Sequence, residues 1–320
     1  MANARLERTK DRYVGLCSRS ITYLLVLAVL CVGVAWPLHM MAQQPSAHSA
    51  CAEHLAQAKK LLPLNADSAL LHALEAEKCM AVLNTDEEKA RVLIVLGDAL
   101  QNVRDMPAAL GAYQRAQRVV DEAVVKEGTS PALTLARADI ELNIGLLHFG
   151  LRDLDKSIAH FTDALHILDG ATALDSMEMA LRKVRLFNNM AAVYIRRSDF
   201  ATALPYFQQA LQMNRPLNDV RNAGSLNNNI GICLMELGKH DQANEYFLNS
   251  LAVRKELDDA RGQAQVLNNL GKNQVNFGRF AAARDHFEQA LAIGERIGSA
   301  ESMVISLESL SLVYDTLQNY

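Results

Sequence analysis

Residues 267–290 read LNNLGKNQVNFGRFAAARDHFEQA, and residues 227–250, one 40-residue step earlier, read NNNIGICLMELGKHDQANEYFLNS. Both contain a hydrophobic residue followed by Gly, then Ala twelve residues after the Gly, Phe at sixteen and a small residue at nineteen. Extended along the chain, the small residue falls at Gly97, Gly145, Ala191, Gly231, Gly271 and Ser311, at intervals of 48, 46, 40, 40 and 40. The residue twelve on is Ala109, Ser157, Ala203, Ala243 or Ala283; the aromatic is Tyr113, Phe161, Phe207, Phe247 or Phe287; the last is Ala116, Ala164, Ala210, Ser250 or Ala290. Fixed spacing over five units is the mark of a repeat architecture.

The spacing has a steric cause. A small residue on one helix lets a second helix approach closely, and Ala on the second accepts that contact. The aromatic and the small residues flanking it lie three and four apart, on one helical face. Gly238 and Gly278 fall between the two helices, where a left-handed residue ends a helix. Each unit is thus expected to be a helical hairpin that cannot bury its apolar face alone, so stacking must build the core. Half the residues are hydrophobic and only 6% aromatic, a composition of helices rather than of an all-β fold.

Leu96-Gly97…Ala109…Tyr113…Ala116 and Leu270-Gly271…Ala283…Phe287…Ala290 resemble the tetratricopeptide repeat signature. The chain lacks the Trp that opens such repeats and the Pro that closes them, and its 40-residue period exceeds the usual one. The resemblance covers about residues 51–320, and its LNNLG-like first helices are similar to those of bacterial membrane-associated signalling and scaffold repeats. It implies an all-α fold, a right-handed α-solenoid of about six hairpins and a final unpaired helix, and the apolar run ahead of it reads as one preceding N-terminal hydrophobic helix. Ser306–Tyr320 aligns with a first helix whose second helix is missing, as in a crude solvating cap or a chain cut short.

Ahead of the repeats, Ile21–Leu38 (ITYLLVLAVLCVGVAWPL) carries no charge. Residues 1–20 are basic, and the next Lys or Arg after the apolar run is Lys59, an asymmetry that places the N-terminus in the cytoplasm and the body outside. Residues 21–42 read either as an anchor in the inner membrane or as a signal peptide cut after Ala42, which would leave a periplasmic or secreted protein; 43–50 read as a linker. Of the net charge of −4, residues 1–42 contribute +3, so the body is acidic and lacks the footprint of a nucleic-acid binder.

Residues 51–83 read as an irregular leading hairpin turning at Pro63-Leu64-Asn65, with Cys51 and Cys79 placed symmetrically about the turn. Outside the cytoplasm a Cys51–Cys79 bridge is chemically permitted; the alternative is two buried thiols. Cys233 reads as a lone core thiol.

No phosphate loop, dinucleotide fingerprint, nucleophile elbow or paired-cysteine metal pattern occurs. His160 and His166 are six apart, a spacing that does not share a helical face. The chain is therefore read as a non-enzyme without metal, cofactor or small-molecule substrate. The inner face lined by the first helices remains as the binding surface. Three before the small residue stand Asn188, Asn228 and Asn268, each followed by a second Asn. Asn is a mediocre helix former, and each amide offers a donor and an acceptor. Asn188, Asn228 and Asn268 are read as a ladder for the backbone of an extended peptide, and Asn189, Asn229 and Asn269 as spacers to neighbouring repeats. Arg185, Arg196, Lys272 and Asn276 lie nearby and favour an acidic or carboxylate-bearing ligand. Ile94 and Leu142 at the equivalent places make the N-terminal half of the groove more apolar. Two roles follow: an extracytoplasmic scaffold for a protein or peptide, or the sensory input region of a larger membrane signalling protein of cyclase or kinase type.

Overall fold

The computed structural model describes residues 46–171 and 175–318. The expected hydrophobic segment Ile21–Leu38 and the Ala42 site lie outside the described residues. Among those described, no helix is long and apolar enough to cross a membrane.

The described chain contains thirteen α-helices and one short 3-10 turn, with no strand. A leading pair, α1 (Ala47–Leu61) and α2 (Ala66–Lys78), is followed by the first helices α3 (Asp86–Asn102), α5 (Pro131–Gly150), α7 (Ser176–Arg196), α9 (Val220–Glu236) and α11 (Ala260–Asn276). Their partners are α4 (Met106–Glu127), α6 (Leu154–Asp169), α8 (Phe200–Asn214), α10 (His240–Glu256) and α12 (Phe280–Ile297), and α13 (Ala300–Gln318) stands last. Helix α1 starts within the expected linker because Ser46 caps it, accepting from the Ser49 N–H at 3.1 Å.

Each helix packs on its successor, and the strongest pairings are the two helices of one hairpin. In the four hairpins whose small residue is Gly, the aromatic lies across it: a Cβ built on Gly145 would stand 2.5 Å from the Phe161 ring, and one on Gly231 2.6 Å from Phe247. Tyr113, Phe161, Phe207, Phe247 and Phe287 are at most 2% exposed. Burial of this kind stabilises by roughly 1.5–3 kcal/mol per ring before entropy is counted. Ser replaces Ala in two hairpins without leaving a bare hydroxyl. Ser157 donates to the Gly145 carbonyl at 2.8 Å and Ser250 to that of Gly224 at 2.7 Å.

The turns repeat as faithfully as the core. Seven residues after the small residue the backbone is left-handed at Arg104, Arg152, Ser198, Gly238 and Gly278 (φ 64, 63, 58, 71 and 75°). Only two of these are Gly, although three carry a side chain that resists this conformation. An Asp at the next position, Asp105, Asp153 or Asp199, caps the following helix in the three turns without Gly.

In the leading pair Cys51 and Cys79 are joined by a disulfide, with Cα atoms 5.7 Å apart. At the other end α13 buries Ser306, Leu310 and Val313 against α11 and α12 but exposes Val304, Leu307 and Leu312 by more than half.

Candidate functional site

Successive first helices touch one another at most steps of the stack, but α7 and α9 stand further apart. The 215–219 turn that leads from α8 into α9 contains Pro216, and Asn214 Nδ2 donates across it to the Asp219 carbonyl at 2.8 Å. An open depression of about 240 Å³ lies between α7 and α9, lined by Leu146 of α5, Val184, Arg185, Asn188 and Asn189 of α7, and Asn222 of α9. Three consecutive first helices thus contribute to one polar hollow with an apolar floor. Arg185 is exposed and Asn188 and Asn189 are partly exposed, so their donors and acceptors face solvent.

The other amides are placed differently. Asn228 and Asn268 are only 5% and 4% exposed. Asn228 Oδ1 accepts from Asn269 Nδ2 across the repeat boundary at 2.9 Å, and Asn228 Nδ2 donates to Asn229 Oδ1 at 3.4 Å. Asn268 Oδ1 accepts from Ser306 Oγ of α13 at 3.0 Å. The expected division of labour, one groove-facing amide and one spacer per unit, is not met: in α7 both Asn188 and Asn189 border the hollow, and it gives way differently in α9 and α11. There both amides join an inter-repeat chain, because α9, α11 and α13 lie close enough to close it.

Arg196 donates to the Phe149 carbonyl at 3.2 Å and stacks its guanidinium 4.2 Å above the Phe149 ring, so it also ties one repeat to the next. Lys272 and Asn276 are exposed on α11. Of the seven groove residues read from the sequence, the structure brings Arg185 and Asn188 into one hollow.

Sequence reasoning missed a polar network in the N-terminal half, which was expected to be apolar. Ile94 and Leu142 are present, but Asp98 accepts from Tyr113 Oη at 2.7 Å and from Asn143 Nδ2 at 2.8 Å. Burial pushes its carboxyl up to about 6, against the opposing pull of the Tyr113 bond and of Arg185. Asp139 receives a two-pronged contact from Arg182 at 3.1 and 3.0 Å. The one available signal was Asp98 itself, an acidic residue directly after Gly97 where the later units have Leu146, Ala192, Ile232 and Lys272. Asn222 was missed because it stands in the first turn of α9, outside the periodic positions.

Cys233 is fully buried with its thiol pushed up to about 12 by burial, which makes it inert. His166 is exposed, while His160 meets Glu141 of α5 and Asp163 of its own helix α6.

Two family profiles, both described as tetratricopeptide repeat, match residues 185–215 and 221–296. No curated protein matches the chain by sequence. Among solved structures, RapI in its apo form aligns with TM-score 0.69 and 18% identity over 84% of this chain and 72% of its own. BtubC (BKLC) from P. vanneervenii aligns at 0.57 and 20% over 78% and 93%. The apo quorum sensor NprR from B. thuringiensis aligns at 0.58 and 15% over 83% and 71%. At these identities the likeness is one of fold.

Proposed function

We propose that this chain, a tetratricopeptide-repeat protein, is a non-catalytic scaffold that holds an extended peptide or a protein segment on the face made by its first helices. The observation that carries this reading is the hollow between α5, α7 and α9. Three successive repeats line it, and its Asn188 and Asn189 are partly exposed where the equivalent Asn228 and Asn268 are buried and bonded to the next unit. Asn188 and Asn189 offer donors and acceptors that suit a peptide backbone. Arg185 favours an acidic side chain or a terminal carboxylate, which its planar fork grips by two bonds. The NprR neighbour is a quorum sensor, so the same fold serves sensing elsewhere.

The charge asymmetry around Ile21–Leu38 supports a repeat domain outside the cytoplasm, tethered to the inner membrane or released after Ala42. The Cys51–Cys79 bridge agrees with an oxidising compartment. An alkaline phosphatase reporter fused after Tyr320 should be active; an inactive reporter in a stably produced fusion would contradict this location.

The binding reading is tested by screening the full chain against a peptide library with acidic, neutral and basic members, with binding measured by fluorescence anisotropy. Acidic members should bind, and Arg185→Glu with Asn188→Ala should weaken them by about tenfold or more, the loss of one or two charge-assisted bonds. Binding that ignores both substitutions would reject the hollow as the site. A second reading, the sensory input region of a larger signalling protein, is favoured by the exposed Val304, Leu307 and Leu312 of α13, a face on which a further element would pack.

A further inference from the structure

Away from the inner face, α5 and α6 bring together three side chains of the metal-binding kind. Glu141 stands on α5, His160 and Asp163 on α6, and one donor atom from each lies within 4.8 Å of the others. The backbone under them is held. Phe161, the neighbour of His160, is fully buried against Gly145, four residues beyond Glu141 on α5. His160 and Asp163 are three apart, so they share a helical face. Glu141 Oε2 lies 2.7 Å from His160 Nδ1, while Gln117 of α4 donates to the other oxygen of Glu141 at 3.4 Å. The His148 ring stacks on that of His160, centroids 5.4 Å apart and planes within 5°, which fixes the imidazole. Glu141 and His160 side chains are 14% and 29% exposed, and Asp163 lies open to solvent, so the cluster has a wall and an entrance.

A hydrogen-bonded pair accounts for Glu141 and His160, but not for the second carboxylate brought beside them. We propose that Glu141, His160 and Asp163 form a binding site for a divalent transition-metal cation of the zinc class. One imidazole nitrogen with carboxylate oxygens is a zinc-type ligand set, and metal–ligand bonds of about 2.0–2.2 Å put neighbouring ligands about 3.3 Å apart. Binding would open the 2.7 Å hydrogen bond between Glu141 and His160 to that spacing and rotate the exposed Asp163 side chain inward. Gln117 and His148 act as the outer partners that orient such ligands. The imidazole works against calcium and magnesium, which take all-oxygen shells with more ligands. The site is separate from the hollow on the inner face and does not depend on the peptide-binding reading. A cation held there would clamp α6 to α5 and stabilise that hairpin by mass action.

The test uses the purified full chain, stripped with chelator, titrated with zinc chloride by calorimetry and with cobalt chloride by visible absorption. Wild type should take up one equivalent at this site, and zinc should raise its unfolding temperature; magnesium should do neither. Asp163→Asn, at an exposed position that leaves the fold alone, and His160→Ala should each weaken zinc by about tenfold or more and abolish the thermal shift. The other close histidine pair, His54 and His72 with Nδ1 atoms 3.1 Å apart, is the control, and replacing both with Ala should leave this uptake in place. Absence of zinc uptake, uptake unchanged in Asp163→Asn and His160→Ala, or uptake lost only with His54 and His72 would each overturn the proposal. Circular dichroism and melting in metal-free buffer show whether each variant is folded.

Discussion

Asparagine truncation along the first helices separates ligand-facing amides from structural ones. Asn228 is 5% exposed, and its Oδ1 is the acceptor for Asn269 Nδ2 at 2.9 Å. Asn228→Ala strands that donor at a repeat boundary, which costs about 1–3 kcal/mol. Asn268→Ala removes the acceptor of Ser306 Oγ, but that hydroxyl also reaches the Ser302 carbonyl at 2.9 Å, so the loss should be nearer 1 kcal/mol. Asn188 is partly exposed beside the hollow, and Asn188→Ala should stay within about 0.5 kcal/mol. Urea unfolding followed by far-UV circular dichroism measures all three, and peptide anisotropy supplies the second axis. Asn188→Ala should lose binding and keep stability, and Asn228→Ala the reverse. The double variant Asn228→Ala/Asn269→Ala should cost less than the sum of its parts, with a coupling of about 1 kcal/mol. Equal stability losses at 188 and 228, or independence of 228 and 269, would refute the assignment of these amides.

Asp98 carries a pH dependence whose sign follows from its raised carboxyl, about 6. Between pH 4 and pH 6 the native chain binds the proton more tightly than the unfolded one, so stability should fall as pH rises through that window, by on the order of 2–3 kcal/mol. Asp98→Asn should lack this slope in urea unfolding across the same range, and a wild type that gains stability relative to the variant as pH rises would be inconsistent with it. Gly231→Ala should destabilise by about 1 kcal/mol, because overpacking against Phe247 outweighs the helix-propensity gain. Gly111→Ala, where nothing lies within 4 Å of the new methyl, should stabilise by about 0.5–1 kcal/mol, and melting temperatures that move in the same direction for both would count against the packing account. Replacing Cys51 and Cys79 by Ala opens a loop spanning 28 residues and should cost roughly 3–4 kcal/mol in the leading hairpin. Hydrogen exchange localises that loss, which should not spread to α9–α12, and mass spectrometry of the unreduced protein should find those two thiols lacking their hydrogens.

The hairpins could be read from the chain because their cause is local and repeated. A residue without a bulky side chain must lie under each aromatic, and five copies of that demand leave a period that composition cannot hide. The left-handed turns were legible only at Gly238 and Gly278. At Arg104, Arg152 and Ser198 the same backbone is imposed by the helices on either side, with a capping Asp, so no glycine marks it. The placement of Cys51 and Cys79 was legible because a hairpin's symmetry is a property of sequence distance.

What each amide faces was not written in the period. Asn188, Asn228 and Asn268 occupy identical positions, yet the last two are enclosed and bonded to the next unit, while Asn188 borders a hollow. The difference arises from how far apart neighbouring first helices stand, and that depends on packing summed over whole hairpins. The same holds for Asp98 with Asn143, and for Glu141 with His160 and Asp163, whose partners lie 45 and roughly 20 residues apart in sequence. Sequence alone settled which residues must touch within a unit, since steric fit between two adjacent helices is a short-range matter. Only the tertiary structure decided which polar groups are consumed between units and which stay open, because that follows from the separation of elements remote along the chain.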